Sequence, residues 1–172
     1  MIIRNAGKNG NLPNCTPCIT LVKATAEQRE IVKAMYDDVR NTEYSTWNDE
    51  YPTEIDINYD LQNDLLYLLK CGDEYIGAAS FVGENELDDM KCRKSREARE
   101  IARVVIKKEY QGRGLARILV NKMLDEARQT IHIAVAKRNI PAYKAYISCG
   151  FAVVGEAHMY GNDYYLCERL LK

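Results

Sequence analysis

Residues 98–136 read AREIARVVIK, KEYQGRGLA, RILVNKMLDEARQT and IHIAVA in succession. The first and last of these segments are rich in apolar β-branched residues and read as strands. Between them lies the most regular helical pattern in the chain, over 113–130. A strand, a helix and a second strand in direct succession make a crossover, whereas two strands joined by a short turn make a hairpin. The strand-to-helix turn carries two glycines, Gly112 and Gly114. Such a turn either cradles a ligand or only changes direction.

The remaining segments alternate in the same way. ITLVKAT (19–25) reads as a strand. Thr25 then caps a helix over 25–40, with Gln28 three residues on as in a capping box. Thr53 caps a second helix, TEIDINYDLQND. LLYLLK (65–70) and YIGAASFVG (75–83) flank the turn CGDE and form a hairpin. The charged run ENELDDMKCRKSR reads as a solvated loop or short helix. Asn139 to Gly150 is a helix with Pro141 near its first turn. FAVVGEAHMY and DYYLCERLL close the chain as two strands around YGND. The order β-α-α-β-β-β-α-β-α-β-β, mixing hairpins and crossovers, predicts an α/β fold: one mixed sheet with helices packed on its faces.

With 172 residues, the chain fits one domain, expected over 19–172 behind an N-terminal tail at 1–18. The formal net charge of -1 argues against nucleic acid and acidic membranes as partners. No apolar run approaches the roughly 20 residues of a membrane span, and the first residues lack the apolar core of a signal peptide. The expectation is a cytoplasmic protein. Its six cysteines are then thiols. Cys15 and Cys18 have the spacing of half a zinc site, but no second CxxC or spaced histidine pair completes it. No metal is expected.

At the start of a helix the backbone N–H groups are unpaired and sit at the positive end of the dipole. Glycine lets that backbone approach an anion, so strand, glycine turn and helix together suit a phosphate. QGRGLA lacks the Lys-Ser/Thr of an ATP-type loop and is not GxGxxG. A second pattern follows about 25 residues later: Asn139, Ala142, Tyr146, Gly150 and Phe151, as N-x-x-A-x-x-x-Y-x-x-x-G-F. On a helix Asn139, Tyr143 and Tyr146 share a face, while Ala142, Ala145 and Cys149 form a small-residue face.

The two patterns together resemble the GCN5-related N-acetyltransferase (GNAT) family. Gln111, Gly114 and Ala116 match its Q/R-x-x-G-x-G/A acyl-CoA loop, with Ala116 where glycine is common. The resemblance implies a mostly antiparallel mixed sheet of six to seven strands flanked by about four helices. It also implies a V-shaped splay between the strands at 98–107 and 131–136. Acetyl-CoA is then the co-substrate. The loop Gln111, Gly112, Arg113, Gly114, Leu115 and Ala116 would hold its pyrophosphate, chiefly by the amides of Arg113 to Ala116. The backbone of Val104, Val105 and Ile106 would bond the pantetheine arm. Asn139 would contact that arm or assist the acceptor, and Tyr143 would line the cleft. Tyr146 would be the general acid: a phenol (pKa near 10) is protonated at neutral pH and close enough to a thiol (about 8.5) to share its proton with the departing thiolate. Glu100, or Glu97 behind it, would be the general base; the plainer reading of Glu100 is an exposed strand residue paired with Arg99 or Arg103.

For the acceptor, Trp47 and Tyr51 are candidates for a pocket that suits an ammonium group, with Asp49 and Glu50 to attract it and Tyr160 reaching in from the late turn. The alternative for Trp47 and Tyr51 is packing between helix and sheet. His132 and His158 read as structural. The expected activity is transfer of an acetyl group to a primary amine of a small molecule by direct attack. Its alternatives are a protein or peptide N-acetyltransferase and a non-catalytic acyl-CoA-binding regulator. A dinucleotide-binding domain ranks behind these, since no acidic ribose partner follows a first strand. Family members often pair through sheet edges or C-terminal strands, so a homodimer follows by analogy.

Overall fold

A computed structural model describes residues 19–82 and 98–170. The tail with Cys15 and Cys18, the charged run and Glu97 lie outside the described residues. The elements are β1 (Ile19–Lys23), α1 (Arg29–Val39), α2 (Glu54–Gln62), β2 (Leu66–Cys71), β3 (Glu74–Phe81), β4 (Ala98–Ile106), α3 (Leu115–Ala127), β5 (Thr130–Ala136), α4 (Ile140–Ser148), β6 (Ala152–Met159) and β7 (Asn162–Arg169). Short 3-10 turns precede α1 (Ala26–Gln28) and α3 (Lys108–Tyr110). The element order matches the one read from the sequence. The capping signals are used as expected. The Gln28 side chain accepts the Thr25 amide at 2.9 Å. Thr53 accepts from the Ile55 amide at 3.2 Å, while Asp56 accepts from the Thr53 amide at 2.6 Å.

The seven strands form one sheet in the order β1-β2-β3-β4-β5-β7-β6. Every pair is antiparallel except β4 with β5, the two strands joined by α3. Side chains alternate between the faces of a strand, and each face has its own core. On one side Phe81, Ile101, Ile106, Ile131, Ile133 and Cys167 cluster with Leu119 and Met123 of α3 and Tyr146 of α4. On the other, Leu66, Leu68, Ala78 and Val105 cluster with Val32, Met35 and Tyr36 of α1 and Ile57 of α2. The small-residue face of α4 meets α3, where the Cys149 thiol donates to the Arg117 carbonyl at 3.6 Å.

Two irregularities at β4 shape the centre of the sheet. The first is a bulge. Ser80 stands opposite Ala102 and Ala78 opposite Val105, so β4 spends one more residue than β3 there. Arg103 in the bulge has φ +54°, uncommon for a side chain other than Asn or Asp. The second is the end of the β4–β5 ladder. It pairs Ala98 with Thr130, Arg99 with Ile131 and Glu100 with His132, and no described pair joins the strands beyond that point. Both strands continue, β4 to Ile106 and β5 to Ala136, so a gap opens between them. This is the splay expected between 98–107 and 131–136.

Candidate active site

At the wide end of the gap, the loop after β4 turns into α3. Gly112 and Gly114 both have φ +74°, and an added Cβ at either would touch nothing. The turn therefore needs glycine for its left-handed backbone, and it keeps the approach clear of side chains. The Gln111 side chain donates to the Ile106 carbonyl at 2.9 Å, tying the loop to the end of β4. Upstream, Tyr110 donates to Glu74 at 2.6 Å and Lys107 pairs with the same carboxylate at 3.0 Å. Those bonds hold the Glu74 carboxyl below its ordinary range and push the Tyr110 phenol up to about 12. Arg113 folds back: it donates to the Glu109 carbonyl at 3.0 Å and lies over the Tyr110 ring.

The helix starts differ in a telling way. Asn139 closes the start of α4 by accepting from the Ala142 amide at 3.2 Å, as Thr53 closes α2. α3 begins on Gly114, which has no side chain to close it. The first intrahelical bond there runs from the Ile118 amide to the Gly114 carbonyl. The amides before it point out of the helix end toward the gap's outlet. The side-chain oxygen of Asn139, the residue expected to contact pantetheine or assist the acceptor, is thus engaged at its own helix start.

Tyr146 and Glu100 lie on opposite faces of the sheet. Tyr146 is buried in the α3–α4 core, with its ring centroid 6.3 Å from that of Phe151. Burial raises its phenol above the ordinary value, with smaller contributions from Cys149 and Cys167. Tyr143, one turn earlier, stacks on Tyr165 at 5.0 Å and lines the same face. Glu100 occupies the last paired position before the gap and points to the α1–α2 face, since its neighbour Ile101 faces the other core. The plainer reading of Glu100 as an exposed residue does not hold: it is 8 % exposed. Nor do its supposed partners reach it in the expected way. Arg99 lies over the Phe81 ring at 3.9 Å. Arg103 is held by Asp60.

That Arg103–Asp60 pair is the feature sequence reasoning missed. Nε of Arg103 donates to Asp60 at 2.8 Å and Nη2 at 2.7 Å, a two-pronged bond to a carboxylate that is 0 % exposed. Nη1 donates to the Tyr51 hydroxyl at 3.2 Å. Burial raises the Asp60 carboxyl, and the guanidinium works against that rise. Burial alone would lower Arg103; Tyr51 and Asp60 outweigh it and hold the guanidinium charged. A charged residue within the apolar run IARVV was the available signal, because a buried strand charge demands a partner.

Tyr51 thus sits beside Arg103, on the α1–α2 face of the sheet. Trp47 packs edge-on against Tyr36, ring centroids 5.1 Å apart, at the margin of the second core. Asp49 and Glu50 are exposed at the tip of the same connection. Tyr160 is exposed at the β6–β7 turn. The connection between α1 and α2 also reaches the end of β5 and the start of β7. Arg138, just after β5, donates to the Ser45 carbonyl, and the Tyr164 hydroxyl on β7 donates to Thr46 at 3.3 Å. Among the described residues, no three His, Cys, Asp or Glu side chains gather as a metal ion would need.

The acetyltransferase (GNAT) family model matches residues 32–151, which takes in the second core, the gap, the loop and α4. The chain belongs to the GNAT acetyltransferase family. Solved structures agree on the fold of this GNAT acetyltransferase. A GNAT-family acetyltransferase from Streptococcus agalactiae superposes with a TM-score of 0.79 at 14 % identity, over 90 % of this chain and 96 % of that one. A spermidine N-acetyltransferase from Vibrio cholerae, in complex with CoA and spermine, gives 0.70 at 20 % identity, over 90 % and 96 %. A Salmonella typhimurium protein solved with its cofactor acetyl-CoA gives 0.69 at 20 %, over 90 % and 94 %. No curated protein matches the chain in sequence. No described helix is long and apolar enough to cross a membrane.

Proposed function

We propose that this GNAT enzyme acetylates a primary amine of a small molecule by direct attack on acetyl-CoA bound between β4 and β5. The observation that carries this reading is the gap itself, opening past Glu100 and His132 with the unclosed start of α3 at its outlet. The amides of Arg113 to Ala116 receive the pyrophosphate, and the β4 backbone from Val104 to Ile106 bonds the pantetheine arm.

The acceptor enters on the α1–α2 face, where Tyr51, Arg103 and Glu100 lie. Glu100, directly or through a water, takes one proton from the ammonium. The neutral amine attacks the thioester carbonyl, and the tetrahedral intermediate expels the thiolate as its nitrogen loses a second proton. Tyr146, on the opposite face, gives its proton to sulfur and is reprotonated. Of the two protons that leave the ammonium, one ends on CoA and the other in solvent. The raised phenol remains a fitting acid, because a thiolate forming in the same dry gap is also a stronger base than in water. The strap from Ser45 and Thr46 to Arg138 and Tyr164 supports a small acceptor, since it crosses the face where a peptide groove would run.

The test is a melting curve with acetyl-CoA, against ATP and NADH, followed by thiol release with amines. Spermine comes first, as the amine in the Vibrio cholerae complex. A ligand at about 100 times its Kd adds roughly 2.7 kcal/mol, on the order of 5 °C or more for a domain this size. No shift with acetyl-CoA would overturn the reading.

A further inference from the structure

The gap closes on a buried polar row that the proposed chemistry has not yet used. Glu100 on β4 stands in register with His132 on β5, which stands in register with Glu168 on β7. In-register neighbours on adjacent strands point to the same face and lie side by side. The three residues are 8 %, 3 % and 3 % exposed. On the opposite face of the same strands, Ile101, Ile131, Ile133 and Cys167 pack an ordinary apolar core. Burying two carboxylates and an imidazole where valine or isoleucine would serve costs stability. The row also sits at the apex of the gap and nowhere else along the sheet.

Two of its members are joined directly. The imidazole Nε2 of His132 lies 2.8 Å from the Glu168 carboxylate. That bond fixes the orientation of the ring. Among the described residues on that face, Arg103 of β4 is engaged with Asp60 of α2. The sheet register sets His132 beside Glu100.

We propose that His132 and Glu168 are positioning residues for Glu100. Glu168 fixes the imidazole, and the imidazole, packed beside Glu100, fixes its carboxylate at the apex of the gap, aimed at the acceptor amine. This rests on Glu100 being the general base, and it assigns His132 a part beyond the structural one its sequence context implied.

The chain has two histidines, which makes the test direct. In protein labelled with [15N]histidine, His132→Gln assigns the ring signals of His132 against those of His158. Glu100→Gln and Glu168→Gln are expected each to move the His132 ring-nitrogen signals at fixed pH and leave those of His158 in place. If Glu100→Gln leaves His132 unmoved, the proposal is overturned, whatever Glu100 does in turnover. The kinetic arm uses acetyl-CoA and spermine. Glu100→Gln is expected to lose on the order of 100-fold in kcat and His132→Gln on the order of tenfold, with KM for acetyl-CoA unchanged. The double variant should be no slower than Glu100→Gln alone, because residues that act through one another are not additive. Losses that multiply would reduce His132 to a structural role and overturn the proposal while leaving the base reading intact. Glu100→Gln at the wild-type rate would remove the base reading itself, and the positioning role with it.

Discussion

The two sides of the gap are built by different means. The side proposed for the cofactor is made of backbone: the left-handed glycines at 112 and 114, the unclosed start of α3 and the edge of β4 past Glu100. The side proposed for the acceptor is made of side chains brought from far apart: Tyr51, Asp60 and Arg103, with Glu100 in register with His132 and Glu168. Backbone recognition suits a co-substrate shared by a whole family, since it tolerates any side chain that preserves the turn. Side-chain recognition suits an acceptor that differs from one member to the next. The difference also decides where substitutions act, and it can be broken at either end.

The largest effect belongs to the acceptor side. Asp60→Ala strands the Arg103 guanidinium in a buried place and should cost about 3–5 kcal/mol of stability in chemical denaturation. The folded fraction should still bind acetyl-CoA with its affinity little changed. A cost below about 1 kcal/mol would mean that the pair does not hold this face together. Next comes Tyr146→Phe, which keeps the ring and removes the proton. Its kcat should fall on the order of 100-fold, about 2.7 kcal/mol in the barrier, while the melting shift with acetyl-CoA persists. An unchanged kcat takes Tyr146 out of the mechanism. The pH dependence carries a sign that can be checked. Tyr146 must be protonated to act and burial raises its pKa, so its proton is retained upward past the usual phenol value near 10. Any alkaline fall in kcat below about pH 10 would then belong to another group.

Gly114→Ala probes the cofactor side. A side chain in the left-handed region costs about 1–2 kcal/mol, and here the loss should fall on acetyl-CoA affinity rather than on KM for the amine. Equal affinity for acetyl-CoA would mean that the loop only turns a corner. The smallest effect is expected at Glu74→Gln, which loosens the exposed anchor of Tyr110 and Lys107 and should cost about 0.2–1 kcal/mol. The Glu74 pKa is lowered, so this contribution is full above the unfolded value near 4.3 and fades as pH falls through the lower folded one.

The same contrast explains what the sequence could convey. Periodicity and caps set the element order, because a helix start such as Thr25 or Thr53 is written within four residues. The glycine turn into α3 was legible for the same reason: its glycines, its strand and its helix are contiguous. The acceptor side depends on pairings between distant elements. Asp60 and Arg103 are 43 residues apart, and His132 and Glu168 are 36 apart. Each pair exists only because the sheet order places its elements together. β7 sits between β5 and β6, which chain order alone did not indicate. The bulge left no trace either, because an arginine stands at a positive φ where glycine or asparagine would have announced it. Glu100 was visible as a carboxylate before the loop, whereas its burial depends on what the finished sheet surrounds it with.

The bulge at Arg103 makes β4 count in two frames. Ala102 and Val105 face the same core although an odd number of steps separates them, and so do Ile101 and Ile106. Every side chain after Arg103 therefore has the opposite parity from those before it. Elsewhere in the strand, losing one residue would turn part of it inside out. Losing Arg103 would instead leave two steps on each strand and both ends of β4 facing as they do now, while Asp60 would be left without its guanidinium. In the history of such a chain, the bulge is where β4 could change its length and keep its faces.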